Sequence, residues 1–238
     1  MMKVLINFAN NGYINSRKLL KETALDIGNI DKVIEYSTND IDSDFFEKNK
    51  HIFSSPRGFG FWLWKPYFIL KTLLTLNDDD ILIYSDAGLY FISDIDNYIR
   101  FMSGSFMLFQ HIEYPEKDWT KTDLFNYFDC KNNKKITDTY QLYACCSIWK
   151  KNENSINFLT EWLRLCQNYH FISDEASIET NAATFQDNRH DQSIMSCLAK
   201  LNKDKYNIQI EKDPTQTGNN EFRNKVFPQL IINHHNRN

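Results

Sequence analysis

Four stretches of the chain combine residue types that could bind a ligand or do chemistry on it. The first is Ser85-Asp86-Ala87-Gly88, at the end of the apolar run "ILIYSDAG". A carboxylate followed by two small residues leaves room for a hard divalent cation, which can bridge two phosphates. Asp-x-Gly is equally a turn signature, with the Asp bonding its own backbone, so residue types alone leave both readings open.

The second stretch runs from Ser55 to Tyr67 and gathers Arg57, Gly58, Gly60, Phe61, Trp62, Trp64 and Lys65. Core packing accounts for some of these aromatics. Tryptophans flanked by glycines and cations also suit a ligand with apolar faces and negative phosphates. The third, "DNRHDQS" at 187–193, sets Arg189, His190, Asp191 and Gln192 at an expected helix start. Asp191 can serve there as a helix cap, or as a general base. The fourth, "HIEYPEKDWTKTDLF", offers Glu113, Trp119 and Asp123 beside an expected strand, as a sugar-binding surface or as a solvated loop with one anchoring aromatic. In the tail, His234, His235 and Arg237 could fold back as a metal ligand and a phosphate contact, or could fray as chain ends do.

These residues need a frame. Residues 3–8 read as a buried strand, and Asn10 to Gly12 as a loop. Leu19, Leu20, Ala24 and Ile27 recur at helical spacing until Gly28. Residues 32–37 read as a second strand, and Phe45 and Phe46 fall on a short helix. Pro66 fits the first turn of a helix carrying Phe68, Ile69, Leu73 and Leu74. Residues 81–88 form the clearest strand, apolar without alternation, as expected when both faces are covered. Further strands are expected at 106–112 and within 140–150, and a helix carrying Phe158, Leu159, Trp162, Leu163 and Leu165 that ends by His170. The polar segment 172–190 reads as a mobile loop, and Asp191 as the cap of a helix carrying Ile194, Met195, Leu198 and Leu201. Strand and helix alternate over the first 90 residues, which predicts an α/β fold with a mostly parallel central sheet flanked by helices. In such sheets ligands bind beyond the carboxyl ends of the strands, where Asp86 lies.

The chain has 238 residues, 42% of them hydrophobic and 15% aromatic, with 7 Gly and 5 Pro. That length and composition predict one domain with its own core and no long linker. A net charge of −4 argues against general nucleic-acid binding, which needs a broad basic surface. Five cysteines without a C-x-x-C pair read as reduced core thiols of an intracellular protein. No signal-peptide core opens the sequence, and Lys65, Pro66 and Lys71 interrupt its most apolar stretch, so a soluble, cytoplasmic protein without a transmembrane segment is expected. The 26 Asn are a compositional signature without a role as a group.

The segments "INFANNGY", "PRGFGFWLWKPYFILKTL", "DDDILIYSDAG", "EKDWTKTDLF" and "DNRHDQS" together resemble a family of small nucleotide-sugar glycosyltransferases of the GT-A type, found in bacterial polysaccharide loci and large viruses. "LWKP" with "IYSDAG" carries most of the likeness. The resemblance implies a single GT-A domain over 1–238, its nucleotide-binding part about 1–105 and its acceptor-side part about 106–238. It implies that the Asp-x-Asp element is Ser85 to Gly88, with Asp86 holding Mn²⁺ or Mg²⁺. Gly88 stands where the second carboxylate is usual, which makes His234 or His235 a candidate to complete the metal site. By the same resemblance Asn7 to Gly12, including Phe8 and Asn10, border the nucleotide, with Trp64 beside it. Arg17, Lys65, Arg189 and Gln192 are candidates for the donor's diphosphate or sugar. Asp191 is the first choice of catalytic base, ahead of Asp123 or Glu113. The expected partners are a nucleotide-sugar donor, UDP-linked by default, and a glycan, lipid-linked or protein acceptor. The rival reading, favoured by the missing second carboxylate, is a degenerate domain that binds a nucleotide-sugar without turning it over.

Overall fold

The computed structural model describes residues 1–215 and 229–233. Six strands form the main sheet: β1 Lys3–Phe8, β2 Lys32–Tyr36, β3 Ile81–Ser85, β5 Phe106–Pro115, β6 Tyr140–Lys150 and β7 Ile208–Lys212, in the order β2-β1-β3-β6-β5-β7. β1 pairs in parallel with β2 and β3, and β5 with β7, while β6 runs antiparallel to both β3 and β5. Five of the six strands therefore point one way, and the mostly parallel sheet is found as expected. A second, two-stranded sheet pairs β4 Leu89–Phe91 with β8 Ile231–Asn233.

The run without alternation at 81–85 is explained by burial on both sides. Leu82 and Tyr84 pack on one face with Val4, Ile6, Phe106 and Trp149, while Ile81 and Ile83 pack on the other with Leu5, Met107 and Phe109. The first face is covered by helices Trp64–Thr75, Glu153–Cys166 and Asp191–Leu201. The second is covered by helix Ile14–Asp26 through Leu20 and Ala24, and by the β4–β8 sheet through Phe91 and Ile231. Each fully buried aliphatic or aromatic side chain contributes about 1.5–3 kcal/mol, so the sheet is a rigid base for the loops at its carboxyl edge.

The helix expected to end by His170 ends at Cys166, and Asn168 caps a separate short helix, Tyr169–Ile172, by accepting from the Phe171 N–H. One expectation is corrected. The segment 172–190 is irregular, as its composition implied, but it is pinned. Asp123 accepts from the Ile178 and Glu179 N–H groups, the Asn181 amide oxygen from the Thr122 N–H, and the Asp118 carbonyl from the Gln186 N–H. Among the described residues no helix is long and apolar enough to cross a membrane, and Cys130, Cys145, Cys146, Cys166 and Cys197 are free thiols.

Candidate active site

Several of the expected residues come together where β3 ends. Asp86 follows Ser85 directly, and the Asp86 N–H donates to the Cys145 carbonyl at 2.8 Å, fixing the turn against β6. Lys65, in the first turn of helix Trp64–Thr75, points its ammonium at this place. Its Nζ lies 2.9 Å from the Ala144 carbonyl, 3.3 Å from Asp86 Oδ1 and 3.6 Å from Asp191 Oδ2. The Tyr84 hydroxyl also donates to Asp86 Oδ1. Tyr84 and Asp86 are two residues apart on an extended chain and so share a face, a spacing that could have revealed Tyr84 from sequence.

Burial separates the two carboxylates. The Asp86 side chain is 39% exposed and faces open space; that of Asp191 is 5% exposed. Burial pushes the Asp191 carboxyl up, the Lys65 ammonium opposes it, Asp86 adds to it, and the pKa settles at about 7. Burial disfavours the Lys65 ammonium in turn, but Asp191 and Asp86 outweigh this and hold its pKa above the usual range. Asp191 is not the helix cap that the sequence led us to expect. His190 takes the cap position and Asp191 is the first helical residue, its Oδ2 buried without a hydrogen-bond partner.

Two cavities meet at Asp86. A cleft of about 600 Å³ is lined by Phe8, Ala9, Asn10, Tyr13, Pro56, Gly58, Phe59, Trp62, Trp64, Asp86, Ala87 and Gly88. A smaller pocket of about 180 Å³ is lined by Arg57, Trp62, Lys65, Asp86, Ala144, Cys145, Arg189, His190, Asp191 and Gln192. Asp86 and Trp62 belong to both. The larger space is aromatic: Phe8 stacks on Trp64 at 4.0 Å. The smaller is polar and charged.

The segment that carries Trp62 has an unusual backbone. Gly58, Phe59, Gly60, Phe61 and Trp62 have φ of 57°, 48°, 81°, 54° and 62°, one turn of left-handed helix closed by the Trp62 N–H to the Gly58 carbonyl at 3.2 Å. Left-handed geometry costs about 1–2 kcal/mol for each residue with a Cβ. Glycine is required at 58, where an added Cβ would lie 2.4 Å from the Trp62 ring. His190 is strained as well, with φ 54° and ψ −121°. Its ring lies 5.1 Å from that of Phe61 and 5.2 Å from that of Trp62, and its Nδ1 pairs with the Ile172 carbonyl at 2.7 Å. Burial lowers its pKa.

The other expected residues fall into two groups. Gln192 lines the smaller pocket, its Oε1 accepting from the Ala144 N–H at 3.1 Å and its Nε2 donating to Gln141 at 2.8 Å. Ser85 is buried and donates to the Asp86 carbonyl, and Asn10 accepts from the Gly12 N–H. Trp119 stays outside both cavities but carries the Arg189 guanidinium at 4.3 Å from its ring. Arg17, Glu113 and Asp123 line neither cavity. Arg17 pairs with Glu35 at 3.4 Å, Glu113 lies on an exposed part of β5, and Asp123 also takes His170 Nε2 at 2.8 Å. His234 and His235 lie outside the described residues. Asn233 pairs with Leu89, three residues beyond Asp86.

Comparison of the sequence with family models and with curated proteins finds no match. Among solved structures, mouse xyloside xylosyltransferase 1 in its apo form superposes with a TM-score of 0.53, covering 98% of this chain and 97% of that one at 10% identity. The fold is GT-A-like. In this GT-A-like fold the two cavities lie at the carboxyl end of β3, where an open α/β sheet binds its ligands.

Proposed function

We propose that the chain is a glycosyltransferase that takes a nucleotide-sugar donor. The observation that carries this reading is the convergence of Asp86 and Asp191 on one buried lysine, at 3.3 and 3.6 Å, where an aromatic cleft opens into a polar pocket. The GT-A-like fold supports it. The nucleoside lies in the aromatic cleft, between Asn10, Tyr13 and Trp64. Its diphosphate reaches Asp86, and the sugar enters the smaller pocket beside Asp191 and Gln192.

The bond that breaks joins the anomeric carbon to the terminal phosphate oxygen, which departs with the electron pair; the bond that forms joins that carbon to the acceptor oxygen. Asp191 takes the acceptor's proton. A carboxylate with a pKa of about 7 is deprotonated in good part near neutral pH and is basic enough to serve. Lys65 keeps its charge beside both carboxylates and lowers the cost of placing them together.

The residues present fit a hard divalent cation completed by substrate and water. Asp86 meets Tyr84 and Lys65 through Oδ1 while its side chain stays 39% exposed to the cleft. Among the described residues no three His, Cys, Asp or Glu converge on a metal site. Mg²⁺ or Mn²⁺ would be held by Asp86 and the donor's phosphates, supplying neutralisation of the leaving diphosphate.

The test is incubation of the purified protein with UDP-, GDP- and TDP-sugars, measuring released nucleotide. Asp86→Asn is expected to lose turnover by at least about 100-fold, the usual scale for removing a group that stabilises developing charge, while remaining folded. Full activity in that variant removes Asp86 from the site. Gly88 in place of a second carboxylate favours the degenerate binding domain, and a wild type that binds a donor without ever releasing nucleotide establishes that reading instead.

A further inference from the structure

Three basic side chains line the smaller pocket: Arg57, Lys65 and Arg189. Arg57 is neutralised by Asp174 at 2.9 Å and Asp187 at 2.5 Å, and Lys65 by Asp86 and Asp191. Arg189 forms no ion pair among the described residues, and its Nε is buried without a hydrogen-bond partner. Its guanidinium is instead held by ring faces, at 4.3 Å from Trp119 and 5.1 Å from Tyr114.

The surroundings keep the charge uncompensated. His111 packs against Tyr114 at 4.0 Å and Tyr143 at 4.4 Å; burial and the Arg189 charge hold its pKa down at about 4, so it is neutral near pH 7. A guanidinium stacked on an aromatic ring keeps its in-plane N–H groups for a planar oxyanion. A neutral sugar would leave the charge unpaired, whereas a carboxylate or phosphate would pair with it, and for a carboxylate in two-pronged fashion.

The position decides which part of the substrate is meant. Arg189 lines only the smaller pocket, with Asp191 and Gln192, while Asp86 and Trp62 line both spaces, so Arg189 stands on the side that the transferase reading gives to the sugar. We propose that Arg189 forms an oxyanion-recognition subsite for a carboxylate or phosphate carried by a substrate sugar, on either the transferred ring or the acceptor. The inference rests on the transferase reading for its meaning, but its binding test does not.

Calorimetric titration of the full chain with D-glucuronate, glucose 6-phosphate and D-glucose, with and without UDP, tests it beside UDP-glucuronate and UDP-glucose. We expect a preference of at least tenfold for an acidic probe over its neutral counterpart. Arg189→Gln should abolish that preference and Arg189→Lys should weaken it, with UDP binding unchanged in both. A preference between the two UDP-sugars assigns the anion to the donor; a preference among the free sugars assigns it to the acceptor. Equal binding of acidic and neutral probes by the wild type overturns the proposal. So does a loss of UDP affinity in Arg189→Gln matching its loss for acidic sugars, which would make Arg189 a diphosphate contact. Thermal melts show whether Arg189→Gln is folded; if it is not, Arg189→Lys carries the comparison. A wild type that binds glucuronate but no UDP compound sinks the transferase reading and leaves the subsite standing.

Discussion

Replacing Asp191 with Asn should stabilise the protein while disabling it, and the stabilisation should depend on pH in a definite sense. In the folded chain the Asp191 carboxyl is raised from 3.8 to about 7, burial being the largest cause. Below about pH 4 it is protonated in the folded and unfolded states alike, and Asn, its neutral isostere, changes little. Between pH 4 and 7 the unfolded chain releases this proton and the folded chain keeps it, so the wild type loses stability as pH rises. The full displacement corresponds to about 4 kcal/mol. The Asp191→Asn variant escapes that loss, although Lys65 then keeps only Asp86 as a charged partner, which brings the expected gain at pH 8 to about 2–4 kcal/mol. For a chain of this length 1 kcal/mol moves Tm by about 2–4 °C. Melting followed by circular dichroism at pH 5, 6, 7 and 8 should therefore show an advantage of Asp191→Asn that widens with pH to roughly 5–15 °C. Transfer should fall by about 100-fold or more, as loss of a general base does. An advantage that is flat with pH, or a variant less stable than wild type at pH 8, would refute the assignment of a buried carboxyl with a raised pKa.

Other substitutions probe the frame around the site. Gly58→Ala places a Cβ 2.4 Å from the Trp62 ring at φ 57°; left-handed strain and overpacking together should cost about 2–5 kcal/mol, read as a lower Tm and weaker UDP binding. Trp62→Ala should weaken donor binding while leaving helical circular dichroism intact, because the indole lines both cavities; unchanged affinity would remove it from the site. Glu116→Ala should cost about 3–5 kcal/mol. The Glu116 carboxylate is fully buried, accepts from Thr120, Gln141, Ser196 and Lys200, and its loss strands the Lys200 ammonium.

The central strands β1 and β3 are legible because their burial is strong and local, whereas β4, β7 and β8 are not read from the sequence. Residues 3–8 and 81–85 are apolar over most of their length, and the structure covers both their faces. Pro66 marked its helix's first turn because a proline there loses no helical hydrogen bond. Partnership across the chain was not legible. Asp123 has the residue type and neighbourhood of a catalytic base, yet it binds the backbone of residues 178 and 179, which nothing in its local sequence encodes. Glu116 reads as one charge in a polar run and proves to be a buried anchor to β6 and helix Asp191–Leu201. The short helix Tyr169–Ile172 is not legible, because apolar spacing continues through Ile172 while Asn168, an ordinary polar residue in the pattern, restarts the chain as a cap.

The strained residues explain why local reading fails where it does. The left-handed turn at 58–62 includes three aromatic residues that individually disfavour it, and His190 sits at a backbone geometry that suits glycine. Strain of this kind persists only where surrounding contacts determine the geometry. Here the His190 ring packs against Phe61 and Trp62, so the two strained segments brace each other beside the smaller pocket, which Trp62 and His190 line. One consequence is placement: His190 turns the chain so that Asp191 enters the helix facing Lys65. Another is that the segment carrying Trp62 does not depend on helix propensity, which at Gly58-Phe59-Gly60 is poor. If this bracing holds the site open, relieving one partner should loosen the other. In His190→Ala, hydrogen exchange should accelerate at the Phe61 and Trp62 amides as well as at 189–191, with β3 amides unchanged. Acceleration confined to 189–191 would show that the left-handed turn stands without its neighbour.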